Sequence, residues 1–234
     1  MKPYLLYFVF TFLHASTLPF QVGETLHYQA SFSGIDAATG KLEVLGKKSL
    51  GDSSAFHVRF SAETHGFADY LFPIKDVIDL WLDEKTLYPM KIVKDINEGK
   101  YKKKTNIDLL QEDQMAIIQL DTIPIPIGTH SPYSLFYFFR TGDLSSIHGQ
   151  TFSTIDGKKV TQLEMDVEEG ISIRVPAGKF LCTKVMPMRT DKKKFKNEAT
   201  MSIWFSDDGE RYPVKIWIKM KFGAFVLKLD EIVN

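Results

Sequence analysis

The chain has almost no cysteine. Among 234 residues Cys182 stands alone, so no internal disulfide can form and no paired-cysteine zinc site can be built. Stability must come from burial, for which the length is ample. Net charge is missing too: 29 Lys and Arg balance 29 Asp and Glu. A dedicated nucleic-acid binder carries a basic excess to neutralise phosphates, so no nucleic-acid partner is expected. No apolar run reaches the roughly 20 residues a membrane-spanning helix needs, so no transmembrane segment is expected in the mature chain. The sequence contains no G-x-S-x-G, H-E-x-x-H or P-loop pattern. No two histidines of the mature chain sit at metal-ligand spacing. The expectation is therefore no catalytic residue, no metal site and no cofactor, in a protein that is not an enzyme.

What is present begins with the amino terminus. Lys2 supplies a positive charge, Leu5 to Leu13 form a short apolar run, and His14-Ala15-Ser16 offer small residues for a peptidase. Residues 1–16 read as a signal peptide, leaving a single β domain over 17–234. No cysteine follows the apolar run, which argues against a lipid-anchored terminus. A chain without disulfides suits a periplasm better than long extracellular life. The expected location is thus periplasmic, with secretion as the alternative.

Beyond that segment, period-two alternation dominates. Leu26, Tyr28, Ala30 and Phe32 share one phase, as do Phe56, Val58, Phe60 and Ala62. Similar stripes run through Ile78 to Leu82, Ile171 to Val175, Met201 to Phe205, Val214 to Met220 and Phe225 to Leu229. Asp156-Gly157 is a hairpin signal, because glycine takes the positive φ of a primed turn. Pro176-Ala177-Gly178 marks another reversal. Only Ser131 to Arg140 reads as helix, with Ser131 placed to accept a hydrogen bond from a free amide and Pro132 suited to a first turn. That helix has little polar surface and is expected to be buried, as a plug or lid.

A weak repeat links Trp81 to Tyr88-Pro89 and Trp204 to Tyr212-Pro213. Each reads as strand, Trp, polar turn, Tyr-Pro, strand, which predicts two similar hairpins. So many strands with one helix cannot cover themselves by helix packing. The sheet has to curl, and the expected fold is all-β, mainly antiparallel, a half-barrel or lipocalin-like barrel.

Several segments, in order, resemble one family. They are Pro19 to Tyr28 (PFQVGETLHY), Gly34 to Gly40 (GIDAATG), Leu71 to Asp76 (LFPIKD), Glu98 to Lys104 (EGKYKKK), Val175 to Phe180 (VPAGKF) and Trp204 to Asp208 (WFSDD). Together they resemble the bacterial exported proteins classed as domain of unknown function 3108. One departure is Ala38-Thr39 before Gly40, where the family keeps glycine tight after alanine, and this is expected to alter a turn. The resemblance implies an envelope β protein and transfers no catalytic residues.

The candidate site residues follow from aromatics, which make up 13% of the chain with 18 Phe. Trp81, Trp204 and Trp217 fall in the phase opposite the aliphatic stripe. A sheet apolar on both faces needs two covers, and the Phe-rich helix supplies only one. Trp81, Phe136, Phe139, Trp204 and Trp217 are therefore candidate contacts for an apolar ligand, although ordinary core is the common fate of such rings. Lys102, Lys103, Lys193 and Lys194, within two basic clusters, are candidate contacts for anionic headgroups, against the plainer reading of soluble hairpin tips. Cys182, in phase with Phe180 and Met186, reads as a buried small hydrophobe. His27 and His57 are expected to face solvent. The leading functional expectation is an envelope protein that binds an apolar or amphipathic, lipid-like molecule in a curved sheet. The alternatives are a structural or assembly protein binding another envelope protein, and a hydrolase with an unrecognised site.

Overall fold

Every stripe of alternating residues becomes a strand, because each can bury one face only by joining the same sheet. The computed structural model describes residues 18–191, 200–221 and 223–234. The signal peptide expected at 1–16 and the basic cluster holding Lys193 and Lys194 lie outside the described residues. The strands are β1 (Thr25–Phe32), β2 (Ile35–Leu50), β3 (Ser53–Thr64), β4 (Lys75–Asp83), β5 (Pro89–Glu98), β6 (Tyr101–Leu110), β7 (Met115–Ile118) and β8 (Asp121–Pro124). They continue as β9 (Thr151–Asp156), β10 (Lys159–Val175), β11 (Gly178–Arg189), β12 (Thr200–Ser206), β13 (Pro213–Met220) and β14 (Gly223–Val233). Among the described residues two α-helices join them, α1 (Gly66–Leu71) and α2 (Ser134–Thr141), with one 3-10 turn at Ser145–Ile147, where the sequence signalled only α2.

All fourteen strands form one antiparallel sheet in the order β8-β7-β6-β5-β4-β3-β2-β1-β14-β13-β12-β11-β10-β9. The amino- and carboxy-terminal strands pair at its centre, from Thr25↔Val233 to Phe32↔Phe225. Long strands in a curled sheet must bend, and register breaks supply the bends. One falls between Glu168 and Ile171 on β10, where Gly170 sits at φ +75°. A residue with a Cβ would be strained there. Ala38 to Gly40, expected at a turn, instead lie inside β2, and the reversal is at Ser33-Gly34.

The edge strands β8 and β9 do not pair with each other, so the sheet is not a closed ladder. The chain between β8 and α2 fills the seam. The His130 amide donates to the Ser153 carbonyl and Ile155 donates to the His130 carbonyl, both at 2.8 Å. The Gln111 side chain donates to the Pro89 and Thr129 carbonyls and accepts from the Gly128 amide. Lys94–Asp156 and Lys158–Asp121 ion pairs, each 2.5 Å, cross the same seam.

The repeated Trp…Tyr-Pro motif is real at the backbone level. In β4–β5 Trp81 faces Lys91 and Leu82 faces Pro89, with a bulge between. In β12–β13 Trp204 faces Lys215 and Phe205 faces Pro213, again with a bulge. Leu87 and Arg211, each just before the tyrosine, both take positive φ. Asp83 and Ser206 donate their amides to the carbonyls of Tyr88 and Tyr212, each at 2.9 Å.

Cys182 is fully buried as expected, but its neighbour in the core is Val185 and not Met186, which stays half-buried outside the core cluster. The register break on β10 shifts the phase of the paired strand. His57 lies on the outer face, yet its side chain is only 12% exposed. It stacks on Trp81 at 4.5 Å and its Nε2 is 2.7 Å from Asp79 Oδ1.

Candidate functional site

The helix α2 occupies the interior of the curled sheet. Its sequence dictates this: Leu135, Phe136, Tyr137 and Phe139 are all buried, so it has no solvent face to offer. Its start is fixed by reciprocal serine bonds. The Ser134 amide donates to Ser131 Oγ and the Ser131 amide donates to Ser134 Oγ, each at 2.9 Å. This is the capping role expected of Ser131.

The one charged residue of the helix, Arg140, is 1% exposed. Its guanidinium grips Glu24 with a two-pronged pair, Nη1–Oε1 at 2.6 Å and Nη2–Oε2 at 2.8 Å. It also donates to the carbonyls of Pro19 at 2.6 Å and Glu210 at 3.0 Å. Phe20 and Tyr212 sit against its plane. A buried charge is tolerable only when paired and hydrogen-bonded in this way. The bond set ties α2 to the segment just before β1 and to the β12–β13 turn.

Between α2 and the inner faces of the sheet lies a cavity of about 300 Å³. Pro132, Tyr133 and Phe136 form its floor. Tyr28, Leu42, Phe60 and Ile78 line one wall, and Met201, Ile216, Ile218 and Leu227 the other. Gly40 belongs to the wall, and a Cβ there would meet Leu227 at 3.3 Å. Half-buried Ala62, Asp76, Met201 and Ile218 stand near the ends of β3, β4, β12 and β13, so this part of the lining lies beside the rim of turns that ends β1, β3 and β13.

Its lining is nearly all apolar. Burial holds the Tyr28, Tyr133 and Tyr137 hydroxyls well above the ordinary phenol range, so they stay neutral. Tyr28 donates to the Pro213 carbonyl at 2.8 Å and Tyr137 to that of Glu43 at 3.3 Å. Besides the tyrosines, the ionisable residues in the lining are Lys41 and Asp76; for Asp76 two effects compete. Desolvation raises its pKa, opposed by the Asn97 amide, which donates to it at 2.8 Å. Two other depressions differ in kind. A polar groove of about 520 Å³ on the outer face is lined by Glu63, Lys75, Asp95 and Lys102 among others, and a cleft of about 220 Å³ lies beside Phe139 and Phe152.

Of the expected ligand contacts, Phe136 alone lines the cavity. Phe139 packs lower, against Phe152 and Phe205. Trp81, Trp204 and Trp217 are half-buried on the outer face, as their phase implied, so the sheet separates them from the helix. The outer rings have covers of their own: His57 on Trp81, and Lys184 and Lys215 on Trp204. Lys102 and Lys103 are exposed on β6. Sequence reasoning missed Asp76, Lys94, Glu24 and Arg140. Each was signalled by a polar residue in phase with buried neighbours, as Asp76 is with Ile78 and Leu80.

Chemistry of the hydrolytic kind needs an accessible nucleophile. His130 Nδ1 is 3.2 Å from Ser134 Oγ, but both residues are buried and Ser134 Oγ donates to the Ser131 carbonyl. The pair is part of the helix cap. Among the described residues, no three His, Cys, Asp or Glu side chains form a cluster that could hold a metal.

Curled sheet, interior helix and apolar hollow together define a barrel-like β protein. The chain belongs to the family described as "Protein of unknown function (DUF3108)", whose pattern matches residues 27–230. A crystal structure of a beta-barrel-like protein of domain of unknown function DUF1849 from Brucella abortus is similar, with a TM-score of 0.57 and 14% identity. The likeness covers 90% of this chain and 97% of that one, and at this identity it speaks to the fold alone. Among curated proteins, none matches the chain.

Proposed function

We propose that this is a non-enzymatic envelope protein, exported to the periplasm, that carries an apolar or amphipathic, lipid-like molecule inside its curled sheet. The observation that carries the reading is the apolar cavity of about 300 Å³ between α2 and the two walls. It is at the small end of ligand pockets, which run from about 300 to 1,000 Å³. It is about twice an engineered apolar cavity of roughly 150 Å³ that takes up benzene. One chain of a lipid suits this space, with its polar end towards Asp76 at the half-buried side. The apolar amino-terminal run supports export.

The test is native mass spectrometry of the protein purified from its own envelope, with solvent extraction of whatever is bound. A reproducible apolar adduct is expected, lost in Ala62→Phe and in Ile218→Phe, which fill the cavity from facing walls. Circular dichroism checks that both variants fold. An adduct-free wild type, or an adduct unchanged in both folded variants, overturns the reading. A second reading, an assembly protein for another envelope component, draws on the apolar surface around α1. An adduct-free mass with a stoichiometric co-purifying protein would favour it.

A further inference from the structure

The rim at the ends of β3 and β5 carries surface that the cavity does not explain. The segment after β3 places Phe67, Tyr70 and Leu71 at i, i+3 and i+4, the spacing of one helical face. In α1 that face points away from the protein: no residue of the helix is buried. Phe67 is 75% exposed, Tyr70 83%, Leu71 64% and the following Phe72 53%. Phe67 and Tyr70 stack on each other at 6.4 Å. Contiguous exposed apolar surface of this kind marks an interaction site.

The presentation is fixed. Thr64 Oγ1 donates to Asp69 Oδ1 at 2.9 Å, and the His65 amide donates to the Ala37 carbonyl at 3.1 Å. Phe72 lies against Gly99, where a Cβ would stand 2.9 Å from its ring. That contact locks α1 beside the β5–β6 turn and brings exposed Lys100, Tyr101, Lys102 and Lys103 next to the aromatic residues. Two neighbouring acids are paired with lysines, Glu63 with Lys75 at 3.1 Å and Asp95 with Lys104 at 2.9 Å, Asp69 accepts from Thr64, and Asp36 stands 3.6 Å from His65. Lys159, just after the β9–β10 turn, and Lys219, just before the β13–β14 turn, are exposed as well.

We infer that this end docks on an anionic lipid bilayer, with Phe67, Tyr70, Leu71 and Phe72 entering the interface and the lysines lying on headgroups. Aromatic rings with an apolar body and a polar edge settle at that depth, and clustered lysines are drawn to an anionic leaflet. Charge complementarity favours this occupant. The docked end also holds the half-buried part of the cavity lining, Ala62, Asp76, Met201 and Ile218, so docking brings the hollow to the source of a lipid. The inference deepens the carrier reading and rests on it for its purpose.

The experiment is co-sedimentation of the purified protein with phosphatidylcholine vesicles, with and without phosphatidylglycerol, in parallel with native mass spectrometry of the same preparation. Binding is expected on the anionic vesicles and is expected to weaken with salt. The double variant Phe67→Ser, Tyr70→Ser should lower it about tenfold or more. Lys102→Glu with Lys103→Glu should lower it by at least about tenfold on anionic vesicles alone. All four positions are exposed, so the folded state should be unaffected, which circular dichroism checks. No vesicle binding, or binding indifferent to Phe67 and Tyr70, overturns the docking inference even if a bound lipid is found. Vesicle binding with an empty cavity upholds docking and sinks the carrier reading alone.

Discussion

Removing one partner of the buried Arg140–Glu24 pair tests how the interior helix is held. Arg140 and Glu24 are 1% and 3% exposed, so neither lone charge can recruit water without opening the core. In Glu24→Leu the guanidinium keeps its bonds to two carbonyls but loses its counter-charge. In Arg140→Met the carboxylate is left alone, and the Pro19 and Glu210 carbonyls lose a donor. Breaking a buried pair from one side costs about 3–5 kcal/mol. At about 2–4 °C per kcal/mol for a chain of this size, each single variant should unfold roughly 6–20 °C below the wild type. The double variant Glu24→Leu, Arg140→Met buries no lone charge, and its cost should fall below the sum of the singles. Thermal unfolding followed by circular dichroism on all four proteins yields the coupling energy. Single variants within about 3 °C of the wild type, or costs that add without coupling, would refute the idea that the pair anchors α2.

The remaining predictions concern titration and reactivity. Burial depresses the His130 pKa from 6.5 to about 4, so the native state resists a proton that the unfolded chain accepts. Stability is unaffected above about pH 6.5 and is lost as pH falls towards about 4, by roughly 3 kcal/mol in all. Urea midpoints at about pH 7 and about pH 4.5 should show a smaller drop for His130→Gln than for the wild type; equal drops would refute it. Burial also raises the Cys182 thiol to about 12. A thiol reagent should therefore label nothing in the native state and one thiol in urea. Fast labelling without denaturant would contradict the placement of Cys182 in the core.

The strands were legible because alternation sustained over six or more residues suits a half-buried strand and puts no continuous apolar face on a helix. Their pairing order was not, since a stripe tells which face is buried and not against which strand. The two Trp…Tyr-Pro hairpins could be read because a bulge and a left-handed residue leave a spacing in the sequence. The helix α1 escaped notice because six residues give barely two turns, and its apolar spacing implied a core that is not there. The cavity was invisible for a related reason: Leu42, Ile216 and Leu227 show the same alternation whether they meet another side chain or an empty space. The aromatic candidates were divided by the sheet itself. Phase placed Trp81, Trp204 and Trp217 on the outer face, but only the curl shows how far that face lies from Phe136.

The pairing of β1 with β14 sets a condition on how the chain is made. Strand β1 must wait for β14, which is made about 200 residues later, and the Tyr28 hydroxyl finds its acceptor at Pro213, 185 residues on. The centre of the sheet thus cannot close until β14 has been made. Contacts so distant in sequence form slowly and leave apolar strands exposed meanwhile. Nascent chains should therefore depend on a holding chaperone until β14 has emerged, and deletion of β14 should leave no partly folded remnant but an aggregation-prone one.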